Sequence, residues 1–151
     1  MRTAFLVTVV LTAVTAGRDS AHAKESKVKM KDLPPAVQKA VEEQSKGATL
    51  AGLAKEVENG ATLYEAEIRA GNRTKDVTFD SGGHVVRREE ETTLDSIPAP
   101  ARDAIKKTVG KHKLVLVETV SEKDNTFYEA HYRSGLRTKE LKVDAAGQPV
   151  K

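Results

Sequence analysis

The residues nearest to chemistry in this chain are carboxylates. Glu65 and Glu67 stand two apart in Leu63-Tyr64-Glu65-Ala66-Glu67-Ile68-Arg69, and Glu129 and His131 hold the same places in Phe127-Tyr128-Glu129-Ala130-His131-Tyr132-Arg133. Paired carboxylates are the raw material of general acid–base catalysis, provided that one of them has its pKa raised in a pocket. Alternate spacing instead puts these groups on one face of a strand, open to solvent, with nothing to desolvate either acid. They are expected to pair across strands with Arg69, Arg73 and Lys75 and with the counterparts Arg133, Arg137 and Lys139, each exposed pair contributing at most about 1 kcal/mol. No nucleophile elbow, Walker loop or dinucleotide fingerprint occurs, so neither an enzyme nor a bound cofactor is expected.

Metal chemistry is as sparsely signalled. The four histidines are His22, His84, His112 and His131. No two stand at i, i+4 or at zinc-finger spacing, so a metal site would have to be assembled from distant strands, and none is expected. His131 replaces Glu67 of the earlier segment, which makes its face sensitive to pH near neutrality. Asp80-Ser81-Gly82-Gly83 and Asp144-Ala145-Ala146-Gly147 lack the further acids and the closing glutamate of a calcium loop. Each reads as an aspartate that ends a strand and caps a tight turn.

Positioning these residues is the task of a repeat. Leu63 to Lys75 recurs without a gap as Phe127 to Lys139, and the step from Tyr64 to Tyr128, 64 residues, also carries Pro34 to Pro98, Asp80 to Asp144 and Gly83 to Gly147. A unit of that size buries a poor core alone, so two copies are expected to pack or pair. Asp32-Leu33-Pro34-Pro35 and Asp95-Ser96-Ile97-Pro98 predict helix starts with a capping side chain and an early proline. Val37, Ala40 and Val41, then Ala101, Ala104, Ile105 and Thr108, form the apolar helix faces, and Gly47 and Gly110 the stops. Strands follow at Leu114 to Thr119, Phe127 to Arg133 and Glu140 to Asp144, joined by turn residues such as Asn59-Gly60, Gly71-Asn72, Asp124-Asn125 and Ser134-Gly135. Alternation points Tyr64, Ala66, Ile68, Val77 and Phe79, with Tyr128, Ala130, Tyr132, Leu141 and Val143, at the helices. The other face is polar. A last strand of the first copy, around His84 to Arg88, runs into a linker over Glu89 to Leu94.

The first residues predict export. Arg2, the uncharged run Ala4 to Ala16 and the small-x-small Ala21-His22-Ala23 make a signal peptide cut after Ala23, with Ala16 as the second choice. The run is too short to span a membrane, which takes about 20 apolar residues. Losing Arg2, Arg18 and Asp19 moves the net charge from +3 to +2, too balanced for a nucleic-acid binder. Cysteine is absent, which excludes disulfides and a lipid-anchored cysteine. The organisation expected is a signal peptide at 1–23, a flexible basic leader at 24–31, repeats at 32–90 and 96–151, and a linker at 91–95.

The leading Leu-Pro helix, the Tyr-Glu-x-Glu strand and the closing Val-Thr-Phe-Asp-Ser-Gly-Gly-His-Val or Leu-Lys-Val-Asp-Ala-Ala-Gly-Gln-Pro-Val resemble the PepSY family in its PepSY-like form, related to the β-lactamase inhibitor protein fold. The resemblance covers nearly the whole chain after Ala23. It implies an α+β fold, a helix packed on a four-stranded antiparallel sheet in each of two tandem copies, the sheets being either separate or joined into one curved sheet with helices on one face. It also implies an extracellular or periplasmic module that binds or inhibits, peptidases included. No peptidase sequence accompanies the repeats. The inhibitor protein has disulfides and an aromatic-rich face, whereas this chain has no tryptophan and 4% aromatic residues, so β-lactamase inhibition is not expected. The expectation is an exported protein partner held on the open face by Glu65, Glu67, Arg69, Arg73, Lys75, Glu129, His131, Arg133, Arg137 and Lys139. The alternative is a ligand- or cation-binding envelope sensor with a cleft between helix and sheet.

Overall fold

A computed structural model describes residues 26–58 and 60–150. The strands are β1 (Ser26–Lys27), β2 (Thr49–Glu58), β3 (Ala61–Ala70), β4 (Arg73–Asp80), β5 (Val85–Glu91), β6 (Lys113–Glu122), β7 (Asn125–Ser134) and β8 (Arg137–Val143), and the helices are α1 (Pro35–Gln44) and α2 (Ala99–Val109). The eight strands form one antiparallel sheet in sequence order. Residues 1–23, expected to be a signal peptide, and Asn59 lie outside the described residues. Of the leader, Ser26 and Lys27 pair with Lys55 and Ala54, and Val28 and Met30 pack on the core, so this part is held against the sheet.

Both helices start on proline and not on a side-chain cap. Pro34 and Pro98 themselves take the N-cap position with no side-chain cap, and their carbonyls accept from the Gln38 and Arg102 amides at 2.9 Å. Asp32 and Asp95, expected to cap, fall in 3₁₀ turns at Met30–Asp32 and Leu94–Ser96. Proline's fixed φ suffices here because it is already helical in value and the missing N–H would have had no partner. α2 stops at Gly110 with φ 55° as expected, whereas α1 stops earlier, where the Ser45 hydroxyl donates to the Val41 carbonyl at 2.7 Å.

The apolar faces meet as alternation predicts. Val37 and Val41 of α1 pack on Tyr64, Ala66, Ile68, Val77 and Phe79, and Ala101, Ile105 and Val109 of α2 on Val117, Ala130, Tyr132 and Val143. Val109 takes the buried place expected of Thr108. Strand register runs continuously from Ala66 through Val77 and Arg88 to Ser121, and Val117 pairs with Ala130, so both helices lie on the same face. Each buried Val or Ile contributes roughly 1.5–3 kcal/mol.

Glu89, Glu90 and Glu91 are not linker. They belong to β5, which pairs with β4 on one side and β6 on the other and joins two halves into one sheet. Ser26 opposite Lys55 has its counterpart, 64 residues on, in Glu90 opposite Thr119, so the end of β5 stands to β6 as β1 stands to β2. The second half has no fourth strand of its own among the described residues, only a bridge between Val143 and Pro149. At the β6–β7 hairpin the positive φ falls on Lys123, at 53°, and not on Asp124 or Asn125.

Candidate functional site

The face without helices is where charge collects. Glu65, Glu67 and Arg69 of β3 project there, and register places Thr78, Asp76 and Thr74 beside them. Asp76 is followed across β5 by Glu89, and Thr78 by Arg87. Farther along, Glu118 of β6 faces Glu129 of β7, which faces Lys142 of β8, and His131 faces Glu140. Like charges directly opposite each other weaken a sheet. Two such rows, Glu67-Asp76-Glu89 and Glu91-Glu118-Glu129, cross this one.

The second row is compensated. Glu118 and Glu129 are 7% and 6% exposed, although no helix covers them. His131 Nε2 lies 3.2 Å from Glu118 Oε2 and 3.6 Å from Glu129 Oε1, and Lys142 Nζ lies 3.1 Å from Glu129 Oε2. The hydrogen bond to Glu118 favours the imidazolium and raises the His131 pKa, while burial opposes it. Burial, and then the neighbouring Glu140, raise the Glu129 pKa.

The first row is not compensated in this way. Glu67 is drawn to Arg69 at 2.7 Å, an exposed pair. Asp76 Oδ1 is buried without a hydrogen-bond partner among the described residues. Burial first, then the charges of Glu65, Glu118, Glu89 and Glu67, push the Asp76 pKa up to about 7. Glu89 is raised by burial too, with Arg87 opposing at 3.4 Å.

Of the ten residues expected to form the contact face, Glu65, Glu67, Arg69, Glu129, His131 and Arg133 project from it. Arg73, Lys75, Arg137 and Lys139 do not: their register partners Ala70, Ile68, Ser134 and Tyr132 put them on the helix side. Lys75 Nζ donates to the Gln44 carbonyl at the end of α1, at 3.1 Å. Sequence reasoning missed Arg87, Glu89 and Glu118. The alternation of Arg87, Glu89 and Glu91 was the available signal. Asp80 and Asp144 do cap turns, each accepting two backbone amides through Oδ1, at 2.9 Å from Gly82 and His84, and at 2.9 and 2.8 Å from Ala146 and Gln148.

One cluster could hold a metal ion: ligand atoms of Glu129, His131 and Glu140 lie within 4.8 Å of one another. These residues come from adjacent strands, not the distant ones the sequence suggested. A cation there must displace the His131 proton and compete with Lys142. A recess of about 290 Å³ opens between the end of α1 and the sheet, lined by Gln44, Gly47, Ile68, Arg73, Lys75 and Glu90.

Two helices on one face of an eight-stranded antiparallel sheet, the other face polar, define an α+β protein of the β-lactamase-inhibitor-protein-like (BLIP-like) fold. A BLIP-like protein of Bacteroides fragilis matches with TM-score 0.57 at 20% identity over 79% of this chain and 84% of that one. A DUF2874 family protein of Bacteroides ovatus matches with TM-score 0.60 at 18% identity, over 79% and 85%. A protein of Bacteroides eggerthii provisionally assigned to the periplasm matches with TM-score 0.64 at 18% identity, over 79% and 86%. At such identities the likeness is one of fold. No protein-family profile and no curated protein matches the sequence. Among the described residues no helix is long and apolar enough to cross a membrane.

Proposed function

We propose that the chain is an exported, non-enzymatic binding module that holds a protein partner on the polar face of its sheet. Residues 1–23 are its signal peptide, cut after Ala23, and its halves are tandem copies of a PepSY-like unit joined at 92–95. It works in the periplasm or outside the cell, on an exported or envelope protein, a peptidase being one class an inhibitor-like module would take. The carrying observation is the one-sided layering: both helices bury one face, while the other keeps Asp76 among acids with a buried oxygen unpartnered among the described residues. Perturbed, crowded titratable groups mark functional surfaces more often than inert ones. Glu129 and His131 serve as the support beneath this surface, and Glu67, Arg69 and Arg133 as its contacts. The test is affinity capture from an envelope extract with wild type and with Arg69→Glu/Arg133→Glu. A protein held by wild type and by a Lys107→Glu control on α2, and lost by the double variant at an unchanged thermal midpoint, supports the reading. No captured protein, or capture indifferent to the double variant, overturns it.

A second reading is favoured by the approach of Glu129, His131 and Glu140: a divalent cation bound across β7 and β8 of an envelope sensor. Zinc accepts this donor set. Zinc titration followed by the His131 ring resonances tests it: a saturable shift absent from Glu140→Gln supports it, and an unmoved ring overturns it.

A further inference from the structure

The ends of the two helices are built alike and filled differently. After α1 the Ala48 amide donates to the Ser45 carbonyl at 3.0 Å, and after α2 the His112 amide donates to the Val109 carbonyl at 3.0 Å, so Ala48 and His112 hold equivalent places. Ile68 opposite Leu50 is likewise matched by Tyr132 opposite Leu114. In the second half both places carry rings, and those of His112 and Tyr132 have centroids 5.8 Å apart and planes tilted by 36°. In the first half a methyl group and a branched aliphatic chain stand there instead, and the recess of about 290 Å³ opens against both. That volume is at the small end of ligand cavities.

Most of the charge around the recess is already engaged. Lys75 Nζ donates to the Gln44 carbonyl at 3.1 Å and Arg88 Nη2 to Gln44 Oε1 at 3.3 Å, Glu91 accepts from the Thr74 amide, and Glu90 lies 3.7 Å from Arg88. Lys46 and Arg73, which also line the recess, have no side-chain partner among the described residues. An apolar floor of Ala48, Ile68 and Ala70 thus adjoins two unpaired cations. That combination selects an anion with an apolar body.

We propose that the recess at the end of α1 binds a small aromatic carboxylate, whose ring lies on Ala48 and Ile68 and whose carboxylate is held between Lys46 and Arg73. The ring supplies what His112 and Tyr132 supply in the second half. The carboxylate gives the two cations the partner they lack, and the Arg73 guanidinium is suited to take it through two N–H donors. The recess lies on the helix side of the sheet, so this ligand stands or falls independently of the partner proposed for the polar face.

The probe is benzoate, titrated near neutral pH into the ¹⁵N-labelled protein. The Gly47, Ala48 and Lys75 amides should shift together and saturate with a Kd of about 1 mM, the range open to so few atoms in a shallow site. Acetate and benzyl alcohol, which offer only the charge or only the ring, should bind at least tenfold more weakly. Lys46→Ala/Arg73→Ala changes two exposed residues and should weaken benzoate at least tenfold while leaving the weaker benzyl alcohol shifts as they were. Ala48→His, which brings to Ile68 the ring that the second half carries, should abolish the benzoate shifts at an unchanged thermal midpoint, and the double variant decides the matter if that midpoint falls. Shifts that rise without saturating, acetate that matches benzoate, or benzoate binding indifferent to the double variant overturns the proposal.

Discussion

In the first half of the sheet Glu67 faces Asp76 across β3 and β4, and in the second His131 faces Glu140 at the corresponding place across β7 and β8. The frame around these pairs is the same: Gly83 and Gly147 have φ of 81° and 77°, and a Cβ on either would come within 2.6 and 2.5 Å of the carbonyl oxygens of Ala36 and Pro100. What differs is how charge is managed. The second half brings a histidine and Lys142 to its buried glutamates, whereas the first leaves Asp76 among acids and sends Arg69 to the exposed Glu67. A fixed scaffold thus tolerates a settled polar face beside an unsettled one, which argues that the frame and the face are under separate demands.

The strongest way to break this comparison is to remove the core of one half. Phe79→Ala should cost about 3–5 kcal/mol, and because β5 is hydrogen-bonded to both halves the loss should appear as a single shifted transition in denaturant. Two separated transitions by circular dichroism and tyrosine fluorescence would show that the halves fold apart. Next come the two turns. Gly83→Ala and Gly147→Ala combine a left-handed backbone with a contact against helix backbone, and each should cost roughly 2–3 kcal/mol. Equal losses sharpen the equivalence of the halves, and a large inequality in chemical-denaturation midpoints breaks it.

Two titrations then separate the faces. His131→Gln strips the cation from two buried carboxylates and should cost about 2 kcal/mol near pH 6. Because the folded-state pKa of His131 is raised, its contribution is complete below the unfolded value and fades as pH rises through the folded one, so the loss should shrink by pH 9. Equal losses at both pH values would show a packing role instead. Asp76 behaves in the opposite sense. Its pKa of about 7 in the folded protein, against 3.8 when free, means that the folded state loses stability as pH rises across that interval. Asp76→Asn should therefore gain about 1–2 kcal/mol at pH 8, allowing for partial solvent screening, and nothing at pH 4. A variant no more stable than wild type at pH 8 would mean that Asp76 is already relieved.

The layering was legible in the sequence because both of its signals are short-range. Alternation through Tyr64, Ala66 and Ile68 set the buried face, and the recurring Leu63 to Lys75 segment set two similar halves. Glu89 to Glu91 were illegible as strand: three consecutive glutamates have low β propensity, and only pairing on both sides holds them in one. The pairing of the buried Glu118 and Glu129 was hidden for a like reason, since Glu118 meets His131 and Glu129 meets Lys142 only across neighbouring strands. Arg73, Lys75, Arg137 and Lys139 were misplaced because the short turns at Gly71 and Gly135 fix the phase of the next strand, and residue type alone carries no phase.

The double pairing of β5 has a consequence for anyone who would divide this protein. A cut in the 92–95 segment leaves β5 with the first half and strips the second of the neighbour against which Glu118 to Glu122 are paired. The fragment after the cut would present β6 as a naked edge, with Val115 already exposed and Val120 newly uncovered, and such an edge invites stacking of one fragment on another. The half that keeps β5 would in turn carry Arg87 and Glu89 without their partners on β6. The smallest piece that can be handled alone is therefore the whole sheet.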